Sequence, residues 1–276
     1  SGKSMTARSI ARLLPRDASV SGTITFDGSD VLALTGSALR SHRTRVAVVF
    51  QDPRAHINPV RRIDDFMTES LRTLDKVPDR EAARRAAAAL EEVGIDDPAK
   101  RLHQYPHQLS GGMLQRVMIA TALLSEPRMV LADECTTALD VTTQAEVMAI
   151  LDELRRERGM SMLFITHDLE LAGAVCDRTS VMYAGQVVET REAHLLHGDP
   201  LHPYSAALVE ARPDISVTAP RLTAIPGRPV SAFEAPAGCR FAPRCLHAQP
   251  ACSTKEPDWI DLDGGQVRCD RAHELR

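Results

Sequence analysis

The sequence has little of several features, and each shortage excludes a class of protein. Aromatic residues make up 4% of the 276 residues, and the chain has no apolar run near the roughly 18 residues that a membrane-spanning helix needs. Six cysteines are too few for a fold built on disulfides. With 33 basic and 37 acidic residues, the chain lacks the basic excess that indicates nucleic acid as a main partner. The 43% hydrophobic and 25% charged residues are typical of an ordinary globular protein.

Lysine is scarce too, and this makes Lys3 conspicuous among the basic residues, of which only four are lysines. The chain opens at Ser1 directly inside a motif, with no initiator Met and no leading strand, so we interpret it as truncated at its N-terminus and lacking its first strands. Proline and cysteine become more frequent towards the other end. We therefore predict one domain over residues 1–200 and a C-terminal extension over 201–276.

Apolar runs that alternate with amphipathic segments predict an α/β fold with a mainly parallel sheet and helices on its faces. Strands are predicted at 20–28, 45–50, 129–132, 161–166, 179–184 and 186–190. Helices are predicted at 62–74, 80–93, 110–125, 142–158 and 169–176, the fourth capped by Thr142 or Thr143. Because no strand is predicted over about 60–125, this stretch indicates a helical insertion in the sheet.

Two short motifs suggest a nucleotide site. Residues 2–4 (GKS) match the end of a phosphate-binding loop, although such a tripeptide equally describes a basic chain terminus. The apolar run 129–132 ends in Asp133 and Glu134. One carboxylate at a strand end can support Mg²⁺, and its neighbour can deprotonate an attacking water, but an acidic turn after a core strand is also common. Both motifs in one chain favour the nucleotide site.

A third motif connects these two. Residues 109–116 (LSGGMLQR) place a serine and two glycines at a predicted helix start, where free backbone N–H groups attract anions. With this segment the chain resembles the nucleotide-binding subunit of ABC transporters, whose signature is Leu-Ser-Gly-Gly followed by Gln. Met113 stands where that Gln is common, and this version is similar to the peptide-importer branch. The resemblance implies a P-loop NTPase-like fold.

The resemblance also implies a role for each matching residue. Residues implied at the nucleotide and Mg²⁺ are Gly2, Lys3, Ser4, Met5, Gln51 and Asp133. Glu134 matches the general base, His167 the switch histidine that contacts the γ-phosphate, and Gln51 the glutamine that senses the permease. Asp140 matches the D-loop over residues 138–140. The signature residues that face ATP bound by the other subunit are Ser110, Gly111, Gly112 and Met113.

Three further segments resemble the oligopeptide and dipeptide importers: residues 52–60, the segment LHPYSAALVE at 201–210, and residues 225–245. The implied protein is the ATPase subunit of a peptide-type ABC importer, bound peripherally at the cytoplasmic face of the membrane. Its implied partners are a second ATPase subunit, identical or different, two permease subunits and, indirectly, an external solute-binding protein, with no nucleic acid. The cargo stays open, since nickel and glutathione importers share these motifs.

Two other interpretations remain open at this point. One is a soluble ABC ATPase that acts on ribosomes or DNA, but such proteins usually carry two ATPase domains or long coiled-coil insertions. The other is a truncated subunit that pairs without catalysis, because the missing segment would hold the first glycines of the phosphate loop.

The tail contains four cysteines: Cys239, Cys245, Cys252 and Cys269. Their spacing lacks the close pairs of an ordinary zinc ribbon and alone leaves metal ligands and unrelated thiols as equal alternatives. The resemblance favours metal, because some peptide-importer ATPases hold a 4Fe-4S (iron-sulfur) cluster in this extension through four such cysteines. Zinc is the second choice, and disulfides are disfavoured by the reducing cytosol.

Overall fold

We describe the fold from a computed structural model, in which residues 2–136, 139–211 and 224–275 are described. The chain divides by packing into two compact units, one of residues 4–167 and the other of residues 168–276 with residues 1–3. In the described parts of the chain, no helix has the length and apolar character required to cross a membrane.

Nine strands and eleven helices run through the described ranges. The strands are β1 (Thr25–Phe26), β2 (Ser29–Asp30), β3 (Val46–Val49), β4 (Met129–Asp133), β5 (Ser161–Ile165), β6 (Arg178–Tyr183), β7 (Gln186–Glu192), β8 (Ile260–Leu262) and β9 (Gly265–Val267). The helices are α1 (Lys3–Ile10), α2 (Gly36–Arg45), α3 (Pro53–His56), α4 (Ile63–Thr73), α5 (Asp79–Glu92), α6 (Pro98–Leu102), α7 (Gly111–Leu123), α8 (Val141–Glu157), α9 (Leu169–Val175), α10 (Ala193–Leu196) and α11 (Pro203–Glu210).

The unit of residues 4–167 is built on a parallel sheet with the strand order β3-β4-β5. Strand β4 lies in the middle and pairs in register along its length, from Met129 opposite Ser161 to Asp133 opposite Ile165. Ala7 of helix α1 and Ala11, which follows the helix, are buried against this sheet. Because the three strands are parallel, their carboxyl ends meet at one edge, where α/β proteins bind ligands.

The predicted helical insertion is present. Between β3 and β4, over residues 50–128, the structure has helices α3 to α7, one short 3₁₀ turn at Pro106–Gln108 and no strand. Helix α5 ends where the sequence indicates, because Gly94 has a φ of 70°, in the left-handed region that a glycine adopts without strain after a helix.

Two local predictions are wrong. Only Thr25 and Phe26 of the predicted strand 20–28 are in a strand, because Gly22 leaves the extended conformation with a φ of 90°. The Asp27–Gly28 turn itself is present and leads into β2. Helix α8 is capped by Asp140, whose carboxylate accepts the Thr143 N–H, and not by the predicted Thr142 or Thr143.

The other unit contains an antiparallel sheet with the order β6-β7-β9-β8. The predicted strands 179–184 and 186–190 form its first hairpin, β6–β7. The second hairpin, β8–β9, is formed by the tail of the chain and was not predicted. Strand β9 pairs directly with β7, so the tail completes a sheet that begins before residue 200.

The core of this unit also contains residues from before and after position 200. Tyr183 of β6 packs against Tyr204 and Phe241, with ring centroids 4.6 and 5.3 Å apart. Phe241 lies between two of the tail cysteines and is 2% exposed. The predicted boundary between residues 1–200 and 201–276 was based on the change in proline and cysteine content, and it stays a prediction.

Candidate functional site

The polar residues singled out in the sequence follow three adjacent strands of the parallel sheet. Gln51 comes two residues after β3, Asp133 ends β4 with Glu134 next to it, and His167 comes two residues after β5. Because β4 is the central strand, Glu134 lies between the other two. The topology therefore brings together residues that are more than 30 positions apart in sequence.

Glu134 is the centre of this group. Its Oε2 accepts a hydrogen bond from Gln51 Nε2 at 3.1 Å and lies 3.8 Å from His167 Nδ1. The backbone N–H of Glu134 donates to the Ile165 carbonyl at 2.9 Å, and its φ of 49° is in the left-handed region, which is rare for a residue with a side chain. The Glu134 side chain keeps 22% of its surface exposed.

Asp133 is the more buried of the two carboxylates, at 8% exposure. Its Oδ1 accepts a hydrogen bond from Ser4 Oγ at 2.9 Å. A hydroxyl and a carboxylate oxygen side by side are hard oxygen donors of the kind that Mg²⁺ prefers. The residue after Glu134, Cys135, is buried, and burial raises the pKa of its thiol to about 12. Cys135 is therefore a neutral packing residue.

The GKS segment leads into helix α1. Lys3 is the first helical residue, Ser4 the second and Met5 the third, and Met5 is 47% exposed. Gly2, with a φ of 97°, precedes the helix in the left-handed region. The first-turn N–H groups of a helix have no intrahelical partner, so this turn can donate to an anion.

The signature residues lie at the start of helix α7. Ser110 is the N-cap, and its Oγ accepts the Met113 N–H at 3.2 Å. A side chain at Gly111 would meet open space, whereas one at Gly112 would come within 2.8 Å of Thr143. The glycine at position 112 is therefore explained by packing inside the chain, and the one at position 111 is not.

Thr143 links this helix start to the D-loop. It donates to both carboxylate oxygens of Asp140, from its backbone N–H at 3.0 Å and from its hydroxyl at 2.8 Å. The backbone bond, followed by the hydroxyl bond, lowers the pKa of Asp140. Thr143 was predicted only as a possible helix cap, and its role as a donor to Asp140 was signalled only by its place three residues after Asp140. Residue 138 of the D-loop lies outside the described residues.

The four tail cysteines come together. All of them line one small cavity in the unit of residues 168–276. The backbone N–H of Cys239 donates to the Cys252 carbonyl at 2.7 Å, which joins the first and third members of the set. Within the described residues, however, no three His, Cys, Asp or Glu side chains are grouped closely enough to hold a single metal ion.

Backbone N–H groups also influence the thiols of this set. Burial raises the pKa of three thiols, Cys239, Cys245 and Cys269, the last to about 11. Backbone N–H groups that follow each of these three cysteines oppose that rise. The fourth sulfur, Cys252 Sγ, accepts the Gln249 N–H at 3.4 Å. Such N–H donors stabilise negative charge on sulfur.

The parallel sheet, the helix after Gly-Lys-Ser, the three strand-end residues and the Ser-Gly-Gly helix start together define an ATPase of the ATP-binding cassette class. Comparison with known proteins agrees. The family model "ABC transporter" matches residues 1–137, and the model "Oligopeptide/dipeptide transporter, C-terminal region" matches residues 188–252.

Individual relatives extend the match over nearly the whole chain. A Brucella abortus (strain 2308) protein described as a peptide import ATP-binding protein is 45% identical over 98% of this chain and 82% of its own length. The oligopeptide transport ATP-binding protein OppD of Escherichia coli K12 is 40% identical over 93% of this chain and 77% of its own. The solved ATP-binding cassette MJ0796, a dimer bound to ADP and Pi, superimposes with a TM-score of 0.61 at 28% identity, covering 70% of this chain and 81% of that one. This chain belongs to the ATP-binding proteins of ABC transporters, in the oligopeptide/dipeptide branch.

Proposed function

We propose that this chain hydrolyses ATP to power the import of peptides, or of related small solutes, through an ABC permease. The observation that carries the proposal is the convergence of Gln51 and His167 on the Glu134 carboxylate, beside the Ser4–Asp133 pair. The relatives at 40–45% identity are peptide transport proteins, which supports this function over a soluble ATPase acting on ribosomes or DNA.

In the proposed reaction, Glu134 accepts a proton from a water molecule whose oxygen attacks the γ-phosphorus of ATP. The bond to the β–γ bridging oxygen breaks, and ADP and phosphate leave. Gln51 and His167 hold the carboxylate and contact the water and the γ-phosphate. Lys3 and the first turn of α1, with Gly2 and Met5, bind the phosphates. Ser4 and Asp133 would hold Mg²⁺, which neutralises charge on the β- and γ-phosphate oxygens when bound.

The proposal includes a partner subunit. Gly111 leaves open space at the start of α7 although packing within the chain does not require a glycine there. This supports the placement of Ser110, Gly111, Gly112 and Met113 against ATP bound by a second, identical or related ATPase. Two permease subunits and, indirectly, a solute-binding protein complete the proposed importer, with this chain at the cytoplasmic face of the membrane. Residues 1–200 are the proposed ATPase domain and 201–276 the proposed extension.

Replacing Glu134 with Gln tests the catalytic proposal. In the assembled transporter, E134Q should bind ATP as the wild type does but hydrolyse it about 10²–10⁴-fold more slowly, since the amide keeps the shape and loses the base. Glu153→Gln, an exposed carboxylate on α8, is the matched control and should be neutral. Wild-type turnover in E134Q would remove Glu134 from this role.

The third interpretation, a subunit that pairs without catalysis, has its own test. The purified chain should bind an ATP analogue. A chain that binds none, while a version extended at its N-terminus does, would show that residues 1–4 do not make a complete phosphate site.

We also propose that Cys239, Cys245, Cys252 and Cys269 hold a 4Fe-4S cluster. The shared cavity and the N–H donors to sulfur support four thiolate ligands. One zinc ion needs four sulfurs within about 4 Å of one another, since each Zn–S bond is about 2.3 Å long. A cluster binds each thiolate at a different iron, so its four sulfurs lie further apart than those around one zinc ion. The cluster's role would be structural, since the tail carries none of the ATPase motifs.

Iron analysis tests this proposal. Anaerobically purified wild-type protein should be brown and contain about four iron atoms per chain, and replacing any of the four cysteines with Ser should bleach it. Cys176→Ser, outside the set, is the control and should keep its colour. Colourless wild-type protein that contains one zinc ion would show that the four cysteines bind zinc and not a cluster. Protein without any metal would overturn both the cluster and the zinc alternative.

A further inference from the structure

A buried histidine lies beside the cysteine cavity and has no role in the ATPase site. His202, between β7 and α11, is 1% exposed and lines the same cavity as Cys239, Cys245, Cys252 and Cys269. Histidine is seldom fully buried without a polar partner. The position of this side chain therefore calls for a physical reason.

The backbone of His202 is held by a buried carboxylate. Glu189 on β7 is 0% exposed, and its two oxygens accept the backbone N–H groups of Leu201 at 3.0 Å and of His202 at 2.8 Å. The imidazole ring is held as well, because its Nδ1 accepts the Tyr204 N–H at 3.0 Å as the N-cap of α11. Both ends of the residue are thus fixed.

This cap also fixes the tautomer. Since Nδ1 accepts a hydrogen bond, its lone pair is occupied and the proton of the neutral ring is on Nε2. Burial lowers the pKa of His202 to about 4, against an opposing effect of the Arg268 backbone, so the ring is neutral at physiological pH. The side chain therefore presents one N–H donor at a known atom.

In the described parts of the chain that donor has no acceptor in good geometry, although the backbone of Arg268 lies near the ring. Nε2 is fully buried and has no hydrogen-bond partner in good geometry among the described residues. A buried donor without an acceptor is costly, and such a group often marks the place of a bound ion or cofactor. The four thiols line the cavity beside it, together with His247, Asp270 and Arg271.

We propose that His202 Nε2–H donates a hydrogen bond to a sulfur of the metal centre held by the four cysteines, as a positioning residue and not as a ligand. This inference rests on the 4Fe-4S proposal above. A donor to sulfur stabilises the more negative, reduced state, so it raises the reduction potential of the cluster. The competing possibility is that Nε2–H donates to the backbone of Arg268 and only supports the fold.

Two substitutions distinguish the roles of the two ring nitrogens. Asn has its side-chain oxygen near the place of Nδ1, so His202→Asn keeps the N-cap and loses the Nε2 donor. Gln reaches the place of Nε2 with an N–H, so His202→Gln keeps the donor and loses the cap. The measurements are iron content, a redox titration followed by electron paramagnetic resonance, and thermal stability, all on the anaerobically purified transporter.

We expect the two variants to differ in opposite ways. H202N should keep wild-type thermal stability but have a lower reduction potential or lose iron, whereas H202Q should keep the potential and be less stable. A wild-type potential and iron content in H202N would overturn the role of His202 and leave the cluster proposal intact. Equal iron loss in both variants would also overturn it, since His202 would then be only a scaffold. Wild-type protein without a cluster would overturn both proposals and leave the ATPase proposal unaffected.

Discussion

The carboxylate of Glu189 accepts hydrogen bonds from the backbone. Its two oxygens accept the N–H groups of Leu201 and His202, which lie where the chain turns from β7 towards α11. A charged carboxylate in a fully buried place is stable only when its oxygens are hydrogen-bonded. The two N–H donors have no other described acceptor. The carboxylate therefore stabilises the turn, and the turn supplies the hydrogen bonds that the buried carboxylate needs.

Replacing Glu189 with Gln should therefore be destabilising. The amide keeps the size and one acceptor, but its NH₂ group would face the second N–H, leaving one buried donor unsatisfied at a cost of about 1–3 kcal/mol. Thermal or urea unfolding measures the loss. Glu192→Gln, three residues later and exposed, is the control, and equal stability of the two variants would contradict the role of Glu189.

At the scale of elements, helix α7 combines a structural cap with an unexplained glycine. The Ser110 hydroxyl accepts the Met113 N–H and stabilises the helix start, so Ser110→Ala would lose this cap as well as its proposed contact with ATP. Gly111 separates the two effects, because a side chain there meets no atom of this chain within 4 Å.

Gly111→Asp should fold as well as the wild type and fail in hydrolysis. An acidic residue in the first turn stabilises a helix by about 0.3–1 kcal/mol, so thermal stability should stay equal or rise slightly. Facing a phosphate of the partner's ATP, the same charge should lower ATPase activity on the order of 10²-fold, from like-charge repulsion. Gly198→Asp, a second glycine facing open space, is the control. Full activity in G111D would exclude close approach of a nucleotide there.

At the scale of the whole molecule, the proposed reaction needs two copies of the ATPase domain. Glu134 and the signature helix would then act on different nucleotides, and ATP would favour the closed pair. The E134Q variant offers a second measurement of this idea, since bound ATP that is not hydrolysed should hold the pair closed. Light scattering should show an ATP-dependent dimer, and adding G111D should abolish it.

The sequence predicted the position of Asp133 and Glu134 at the end of a strand because their pattern is local. Asp133 and Glu134 directly follow a short apolar run, and the parallel topology then brings Gln51 and His167 to the same edge. Local patterns failed where a non-local contact or a competing cap decides. Asp140 rather than Thr142 begins α8, since its carboxylate reaches the Thr143 N–H.

The tail was the least predictable part. The β8–β9 hairpin has only six residues in strands around Asp263–Gly264, and its stability comes from pairing with β7, which no local pattern shows. Likewise, the spacing of the four cysteines did not indicate that they share one cavity. The motif LHPYS also did not indicate the role proposed for His202. Capping of α11 explains the position of Nδ1 but not that of Nε2.

The pairing of β7 with β9 also has a consequence for the order of events during translation. More than seventy residues separate the end of β7 from the start of β9, so the ribosome makes one partner long before the other. Until the late hairpin emerges, β7 has an open edge that can pair with a neighbouring nascent chain. Slow translation between residues 192 and 265 would therefore lengthen the period in which this edge is open.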